Sequence, residues 1–491
     1  DAAVTPAEKK PLTIVIPTCD RPRFLGRLLD SLRSNQERFG TGWPVEVIDD
    51  SRDEANRRRN AELVGEAVSH FPATYVGRQE QLAVIDRLCK EFPEGEDYFR
   101  WLLWSEHPAH EGQATYGVPI NHAVLRHAGR RVIFIDDDAV IRARTKGNGR
   151  AGIRFDNQIR SFDVCLDIDK VSRSLGVYPE DPLFAHASVL GSKVAEVLTE
   201  LRAGAASPFG ATSSGELAFL DPQYSLVRYS VNGILGDTGA ENDMGSFQSL
   251  SPQILRDEAL YKRFRGSARC IFSGQPFADL LSSVWFQRTT AAGVNLDPYM
   301  APVMPTGRGE DPMMGVLMRY LYPGDFGMRF EFALEHRPAE KRPWVFDTCS
   351  RGRRITGAGA LALWLWNVSA PPAMAPADKM LMGGESVQEM LKAGHTESFL
   401  RGAFAAHWHG VLAGDLAGAT ELLARNPQGC PSWREDMGAM KREMLAELQA
   451  PSGMPEPVVA SALRMVDAYT RGLPFWNIAF EYCRGAGDGA A

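Results

Sequence analysis

Short apolar runs alternate with helically spaced apolar positions along the first 140 residues of the chain. Residues 12–17 (LTIVIP) form a continuous, β-branched apolar run, which predicts a buried strand. In residues 23–34, Phe24, Leu25, Leu28, Leu29 and Leu32 share one face at helical spacing. Residues 44–48 predict a second strand, ending in Asp49-Asp50-Ser51. Residues 56–69, 78–89 and 118–127 predict helices; Gly129 then stops the last of them, and 131–135 (RVIFI) predict a strand running into Asp136-Asp137-Asp138. Strand–helix–strand alternation implies an α/β fold: a mostly parallel sheet with helices on both faces. Ligands of such sheets sit beyond the carboxyl ends of the strands, where Thr18, Asp50 and Asp136–Asp138 would emerge.

Beyond residue 140 the pattern weakens. Residues 146–151 (KGNGRA) predict a loop, 188–203 a helix, and 232–239 (NGILGDTG) a glycine-rich stretch. Residues 141–269 therefore read as an insertion with acceptor-facing elements. A second ordered block, 272–343, carries Arg308-Gly309-Glu310-Asp311 and His336. Apolar spacing then predicts amphipathic helices over 380–425, 433–449 and 457–471, separated by Pro and Gly. The expected organisation is a catalytic domain over 11–345, with a nucleotide-binding half at 11–140 and an acceptor half at 141–345. A helical C-terminal region would cover 346–491.

Composition narrows the function classes. Of the 491 residues, 44% are hydrophobic and 23% charged, enough apolar material for a full core. The net charge of -7 argues against non-specific nucleic-acid binding. Seven cysteines are scattered without a CxxC pair, which favours a reducing compartment over a zinc site or disulfide framework. Residues 1–10 are polar and lack a signal-peptide core. The most apolar stretch, 358–368, is too short to span a bilayer and reads as a buried helix or strand. The expected location is cytoplasmic, with a membrane-peripheral one as the alternative.

On an extended segment, alternate residues face the same way, so Asp136 and Asp138 can address one site. Their hard oxygen ligands suit Mn²⁺ or Mg²⁺, an ion able to neutralise a pyrophosphate leaving group; the plain alternative is a solvated acidic turn. Glu310 and Asp311 precede an apolar run at 313–321, where acids favour a helix start; a general base taking a proton from an acceptor hydroxyl is the functional alternative. His336 follows a predicted strand at 328–333 and offers an imidazole as a third Mn²⁺ ligand. Thr18 and Asp50 can meet a base or ribose, or simply cap helices. His407-Trp408-His409 sits in a predicted helix, where positions i and i+2 do not share a face, so a metal role there is disfavoured. Glu241-Asn242-Asp243 reads as a solvated acidic loop. Neither GxGxxG nor GxxxxGK[ST] follows the first strand, against dinucleotide and P-loop readings.

The order of these motifs resembles the GT-A glycosyltransferases similar to glycosyltransferase family 2. Residues 14–17 followed by Thr18 resemble the family's first strand and base-contacting residue. Val47-Ile48-Asp49-Asp50-Ser51 resembles its V-D-D-x-S segment, which implies that Asp50 meets the base. Residues 117–138, ending IFIDDD, resemble the helix and strand that lead into DxD, with Asn121 on the helix's usual Asn. The resemblance implies that Asp138 ligates the metal and Asp136 faces the ribose, with Asp137 turned away. Gly309-Glu310-Asp311 resembles the G-E-D motif, which implies Asp311 as catalytic base, and His336 corresponds to a later metal-binding His. Thr115 and Tyr116 stand where many relatives carry an Arg. The resemblance covers residues 11–345; the C-terminal region lies outside it.

It implies an inverting, bacterial-type hexosyltransferase using a UDP- or GDP-sugar and Mn²⁺ or Mg²⁺. The acceptor would be a glycan, a lipid-linked sugar or a protein, with no nucleic acid involved. The C-terminal helices offer a surface for an oligomer or partner contact. A sugar-phosphate nucleotidyltransferase is one alternative, disfavoured because Thr18-Cys19-Asp20-Arg21-Pro22 is not a glycine-rich basic loop. A catalytically inactive sugar- or protein-binding module is the other.

Overall fold

The computed structural model describes residues 10–146, 153–155, 162–200, 220–237, 239, 250–275, 277–281, 290–338, 341–344, 356–450 and 454–486. Its strands are β1 (Leu12–Thr18), β2 (Val45–Asp49), β3 (Ala73–Val76), β4 (Arg131–Ile135), β5 (Ala139–Thr145), β6 (Ile153–Phe155), β7 (Asp163–Val164), β8 (Gly176–Val177), β9 (Val227–Gly236), β10 (Ile271–Phe272), β11 (Ala278–Leu281), β12 (Ala291–Asn295) and β13 (Phe326–His336). They form one sheet whose main path runs β3-β2-β1-β4-β12-β9-β13-β11-β6.

The first four strands of that path are mutually parallel. Beyond them the sheet is mixed: β12 runs antiparallel to both β4 and β9, and β13 is parallel to β9. Two reversals cancel, so β9 and β13 point the same way as β4. The carboxyl ends of β1, β2, β4, β9 and β13 therefore share one edge. That edge holds Thr18, Asp50, Asp136–Asp138, Asp237 and His336.

Both faces are covered. On one, Val15, Ile48, Val132 and Phe134 pack with Val84, Phe99, Ile120 and Trp476. On the other, Ile14, Ile16, Val47 and Ile133 pack with Leu25, Leu28 and Val64. Adjacent residues of one strand thus serve opposite cores, which is why the buried strands read as continuous apolar runs. Each fully buried Val or Ile contributes roughly 1.5–3 kcal/mol relative to exposure.

Helices Pro22–Phe39, Glu54–Ala67, Arg78–Glu91 and Gly117–Arg126 occupy the segments where helices are predicted. β3 and helix Glu96–Leu103 are additional. The predicted helix at 188–203 is instead two helices, Pro182–Val189 and Val194–Glu200. Between them the backbone pairs with the start of β9, through Gly191 N–H to the Val227 carbonyl (2.9 Å) and Val227 N–H to the Ser192 carbonyl (2.9 Å). Sheet pairing there outcompetes helix continuation. Of the glycine-rich stretch at 232–239, residues up to Gly236 form the end of β9. Residues 147–151, Glu241-Asn242-Asp243 and Cys349 lie outside the described residues.

The C-terminal region is helical: Gly357–Trp366, Pro376–Lys392, Thr396–Arg425, Pro431–Gln449 and Glu456–Ala486. The predicted helix 380–425 is split by a capping turn, in which His395 N–H bonds the Met390 carbonyl (3.0 Å). These helices share cores with the sheet domain. Trp476 donates its indole N–H to the Met300 carbonyl (2.9 Å), and Tyr469 its hydroxyl to the Pro302 carbonyl (2.8 Å). Trp433 and Met437 pack with Tyr261, Phe264 and Trp344. No described helix is long and apolar enough to cross a membrane.

Candidate functional site

β4 ends at Ile135, and the chain reverses at once: the Ala139 N–H bonds the Asp136 carbonyl (3.0 Å), and β5 returns antiparallel to β13. Asp136–Asp138 thus lie on a turn, not on the extended segment that the alternation argument assumes. The outcome for the side chains is nonetheless similar. Ligand atoms of Asp136, Asp138 and His336 lie within 4.8 Å of one another. Asp137 turns back towards β1, where it accepts hydrogen bonds from Thr18 Oγ1 (2.8 Å) and Arg21 Nη1 (3.2 Å).

His336 is the last residue of β13 and pairs in register with Ala139 on one side and Gly236 on the other. Its Nδ1 contacts the Asp237 carbonyl (2.6 Å) and its Nε2 contacts Asp138 Oδ1 (2.8 Å). A carbonyl can only accept, so Nδ1 carries a proton and Nε2 is the atom presented to the cluster. Gly236 makes this approach feasible. Its φ is 139°, and a Cβ on it would lie 2.0 Å from the His336 carbonyl oxygen. Asp237 is buried and held by Arg269 Nη2 (3.3 Å) and the Gly239 N–H (2.8 Å). Arg27 ties the floor together, donating from Nη2 to the carbonyls of Asp138 (3.0 Å) and Arg337 (2.7 Å).

Electrostatics separates the aspartates. Burial pushes Asp137 up to about 6, with Arg21 pulling the other way and Asp138 adding repulsion. Burial also acts to raise Asp138, but the hydrogen bond and charge of His336, with Arg21 and Arg342, hold it below the usual carboxylate range. His336 shows the reciprocal effect. Burial disfavours its charge, yet the Asp138 contact raises it to about 9.

Asp50 follows β2 at the same edge, buried, with a carboxylate oxygen accepting from Thr115 Oγ1 (2.6 Å). Burial raises its carboxyl to about 6 against the pull of Ser105 and Thr115. The 305–309 segment is stitched beside Thr115, by Gly307 N–H to the Ala114 carbonyl (2.9 Å) and Gly117 N–H to the Pro305 carbonyl (3.2 Å). Gly117 permits the second contact, since a Cβ there would lie 1.9 Å from the Met304 carbonyl oxygen. This stitching holds beside Thr115, the partner of Asp50, the segment that leads into Glu310 and Asp311, the first residues of helix Glu310–Leu321. Glu310 Oε2 accepts from the Gly309 N–H (3.0 Å), and both acids are half-buried.

Two expected ligand contacts look different in place. Asn121 is fully buried, and its amide is used at both ends: Nδ2 donates to the Val303 carbonyl (2.9 Å) and Oδ1 accepts from the Val303 N–H (2.8 Å). It acts on the site by fixing the segment that leads to Glu310. Thr18 donates its hydroxyl to Asp137, as above. His407 and His409 lie on helix Thr396–Arg425, away from the three-residue cluster. Arg21, Arg27 and Asp237 escaped sequence reasoning. Arg21 lay in a segment read only for its lack of glycines, and Asp237 in one read only for its abundance of them.

Two carboxylates and an imidazole with a fixed Nδ1 proton are a donor set suited to Mn²⁺ or Mg²⁺. No protein-family model matches the chain, and no curated protein matches it. Among solved structures, the mannosyltransferase PcManGT from Pyrobaculum calidifontis, in complex with GDP-Man and Mn²⁺, is similar over 97% of this chain and 90% of its own, at 12% identity and a TM-score of 0.28. S. aureus TarS 1–349 is similar over 95% and 91%, at 13% identity and a TM-score of 0.27. The bifunctional glycosyltransferase WbbM is similar over 34% and 25%, at 14% identity and a TM-score of 0.17. At TM-scores of 0.28 and below, these likenesses leave the chemistry to the topology and the site geometry.

Proposed function

We propose that the protein is a divalent-metal-dependent, inverting glycosyltransferase that moves a sugar, a hexose on this reading, from a UDP- or GDP-sugar to an acceptor hydroxyl. The observation that carries it is the convergence of Asp136, Asp138 and His336 at the carboxyl edge that also presents Asp50. Asp138 and His336 would hold Mn²⁺ or Mg²⁺, which supplies positive charge to the diphosphate leaving group. Asp50 accepts a hydrogen bond from the base, and Asp136 faces the ribose. Asp311 takes the proton of the acceptor hydroxyl as its oxygen attacks the anomeric carbon, and Glu310 positions acceptor or sugar. Attack opposite the leaving diphosphate inverts the anomeric centre.

Two measurements test this. UDP or GDP should raise the melting temperature only when Mn²⁺ is present; no metal-dependent nucleotide stabilisation would favour a non-catalytic binding module. Asp311→Asn should retain nucleotide binding while transfer falls by roughly 10²–10⁴-fold. Undiminished transfer by that variant removes Asp311 from the role of base.

A further inference from the structure

We infer that Arg21 is a movable counterion of this site: it pairs with Asp138 in the metal-free protein and turns to a phosphate of the donor when a divalent cation takes Asp138. The identity of that phosphate rests on the glycosyl-transfer reading.

The backbone of Arg21 is held in the first turn of a helix, while its side chain is half-exposed. Its carbonyl accepts from the N–H groups of Phe24 (3.0 Å) and Leu25 (3.1 Å), closing the first turn of helix Pro22–Phe39. The side chain reaches over the aspartate turn with Nη1 3.2 Å from Asp137 Oδ1 and 3.6 Å from Asp138 Oδ2, and it stays 47% exposed. The Asp137 contact is a hydrogen bond; the Asp138 contact is longer and purely electrostatic. Asp138 offers its other oxygen to His336 within the convergent cluster. A divalent ion there competes with Arg21 for one carboxylate and repels its guanidinium.

The rest of the guanidinium is available. Among the described residues, Arg21 donates a hydrogen bond only from Nη1, which leaves Nε and Nη2 unused. Those donors form the planar fork that grips a phosphate through two parallel bonds. A diphosphate reaching the cluster must pass within a few ångströms of a group 3.6 Å from Asp138. Arg21 brings a guanidinium to this edge from just beyond the end of β1.

The two halves of the inference predict opposite signs for one substitution. Mn²⁺ binding to the metal-free protein is followed by the electron paramagnetic resonance signal of free Mn²⁺. UDP and GDP binding at saturating Mn²⁺ is followed by calorimetry. Arg21→Gln should bind Mn²⁺ alone several-fold more tightly, and should bind the nucleoside diphosphate roughly tenfold or more weakly, the scale of a lost charge-assisted hydrogen bond. Arg21→Lys, which keeps the charge but not the fork, should bind Mn²⁺ nearly as the parent does and recover only part of the nucleotide affinity. Weakening of both affinities by Arg21→Gln marks a merely structural residue and overturns the inference, as does unchanged nucleotide affinity in a variant whose parent binds nucleotide. If the parent with Mn²⁺ binds neither UDP nor GDP, the glycosyl-transfer reading falls and takes this inference with it.

Discussion

The sheet carries two acid–histidine–arginine clusters, one at each end of its first strands. At the carboxyl edge Asp136, Asp137 and Asp138 meet His336 and Arg21. Towards the amino end Glu46 of β2 meets Arg126 and His127, where helix Gly117–Arg126 finishes. The chemical ingredients are nearly the same and the geometry is not. Glu46 Oε1 accepts from Arg126 Nε (3.0 Å) and His127 Nε2 (3.2 Å), while Oε2 accepts from Arg126 Nη2 (2.8 Å). All three residues are withdrawn from solvent, and the fork of Arg126 closes on both oxygens. At the carboxyl edge three ligand atoms gather around one point, with Asp136 half-buried and Arg21 half-exposed. A closed pair stabilises a fold; a convergent, accessible set accommodates a ligand.

The largest effect that could break this contrast is at Asp138. Asp138→Asn should lower Mn²⁺-dependent transfer by roughly a thousandfold or more, because a cation loses its carboxylate anchor. The same assay on Glu46→Gln should show parent-like transfer in whatever fraction remains folded. Stability should respond the other way round. Glu46→Gln leaves Arg126 and His127 buried beside a neutral amide and should cost about 3 kcal/mol or more in urea unfolding. If Glu46→Gln abolished Mn²⁺ affinity in the folded protein, the two clusters would not be separable.

The smallest effect sharpens the contrast through pH. The folded His336 lies at about 9, above its ordinary 6.5. Its pairing with Asp138 therefore stabilises the metal-free protein fully below pH 6.5, and this contribution is lost as pH rises through about 9. A metal ligand must shed that proton, so Mn²⁺ affinity should rise about tenfold per pH unit across the same window. Glu46 is the mirror case. Burial raises it, but His127 and Arg126 bring it down to about 2, below its ordinary 4.5. Its stabilisation is present above pH 4.5 and lost as pH falls through 2. Urea titrations in chelator across pH should thus show the two clusters failing at opposite ends of the scale. Flat metal-free stability from pH 6.5 to 9 would remove the His336–Asp138 pair as a stabilising contact.

Much of the parallel half was legible because local chemistry and global packing agree there. β1 and β4 bury apolar residues towards both cores, and helix Pro22–Phe39 carries its apolar residues on one face. The second half disguised itself. β9 contains Arg228, Ser230 and Asn232, all buried, because neighbouring elements satisfy them; Arg228, for one, pairs with Asp325. Residues 227–232 alternate apolar and polar, the period of a strand with one solvated face, yet that polar face is buried by partners 44 to 97 positions away, which no local pattern shows. The break at 190–193 has a similar cause, since Gly191 and Ser192 pair there with Val227 at the start of β9.

The sequence by itself determined that three aspartates would follow a buried strand, that Asp50 would end another, and that Glu310 and Asp311 would open a helix. These are local consequences of apolar period and helix-start chemistry. Only the tertiary structure decided what those acids meet. His336 reaches Asp138 across 198 positions because two antiparallel reversals return β13 to the direction of β4. Asn121 serves Val303 because the chain passes beside its helix. The turn at 136–139, not strand alternation, points Asp136 and Asp138 to one place. Side-chain convergence depends on strand order and register, and neither is fixed by the period of any one segment.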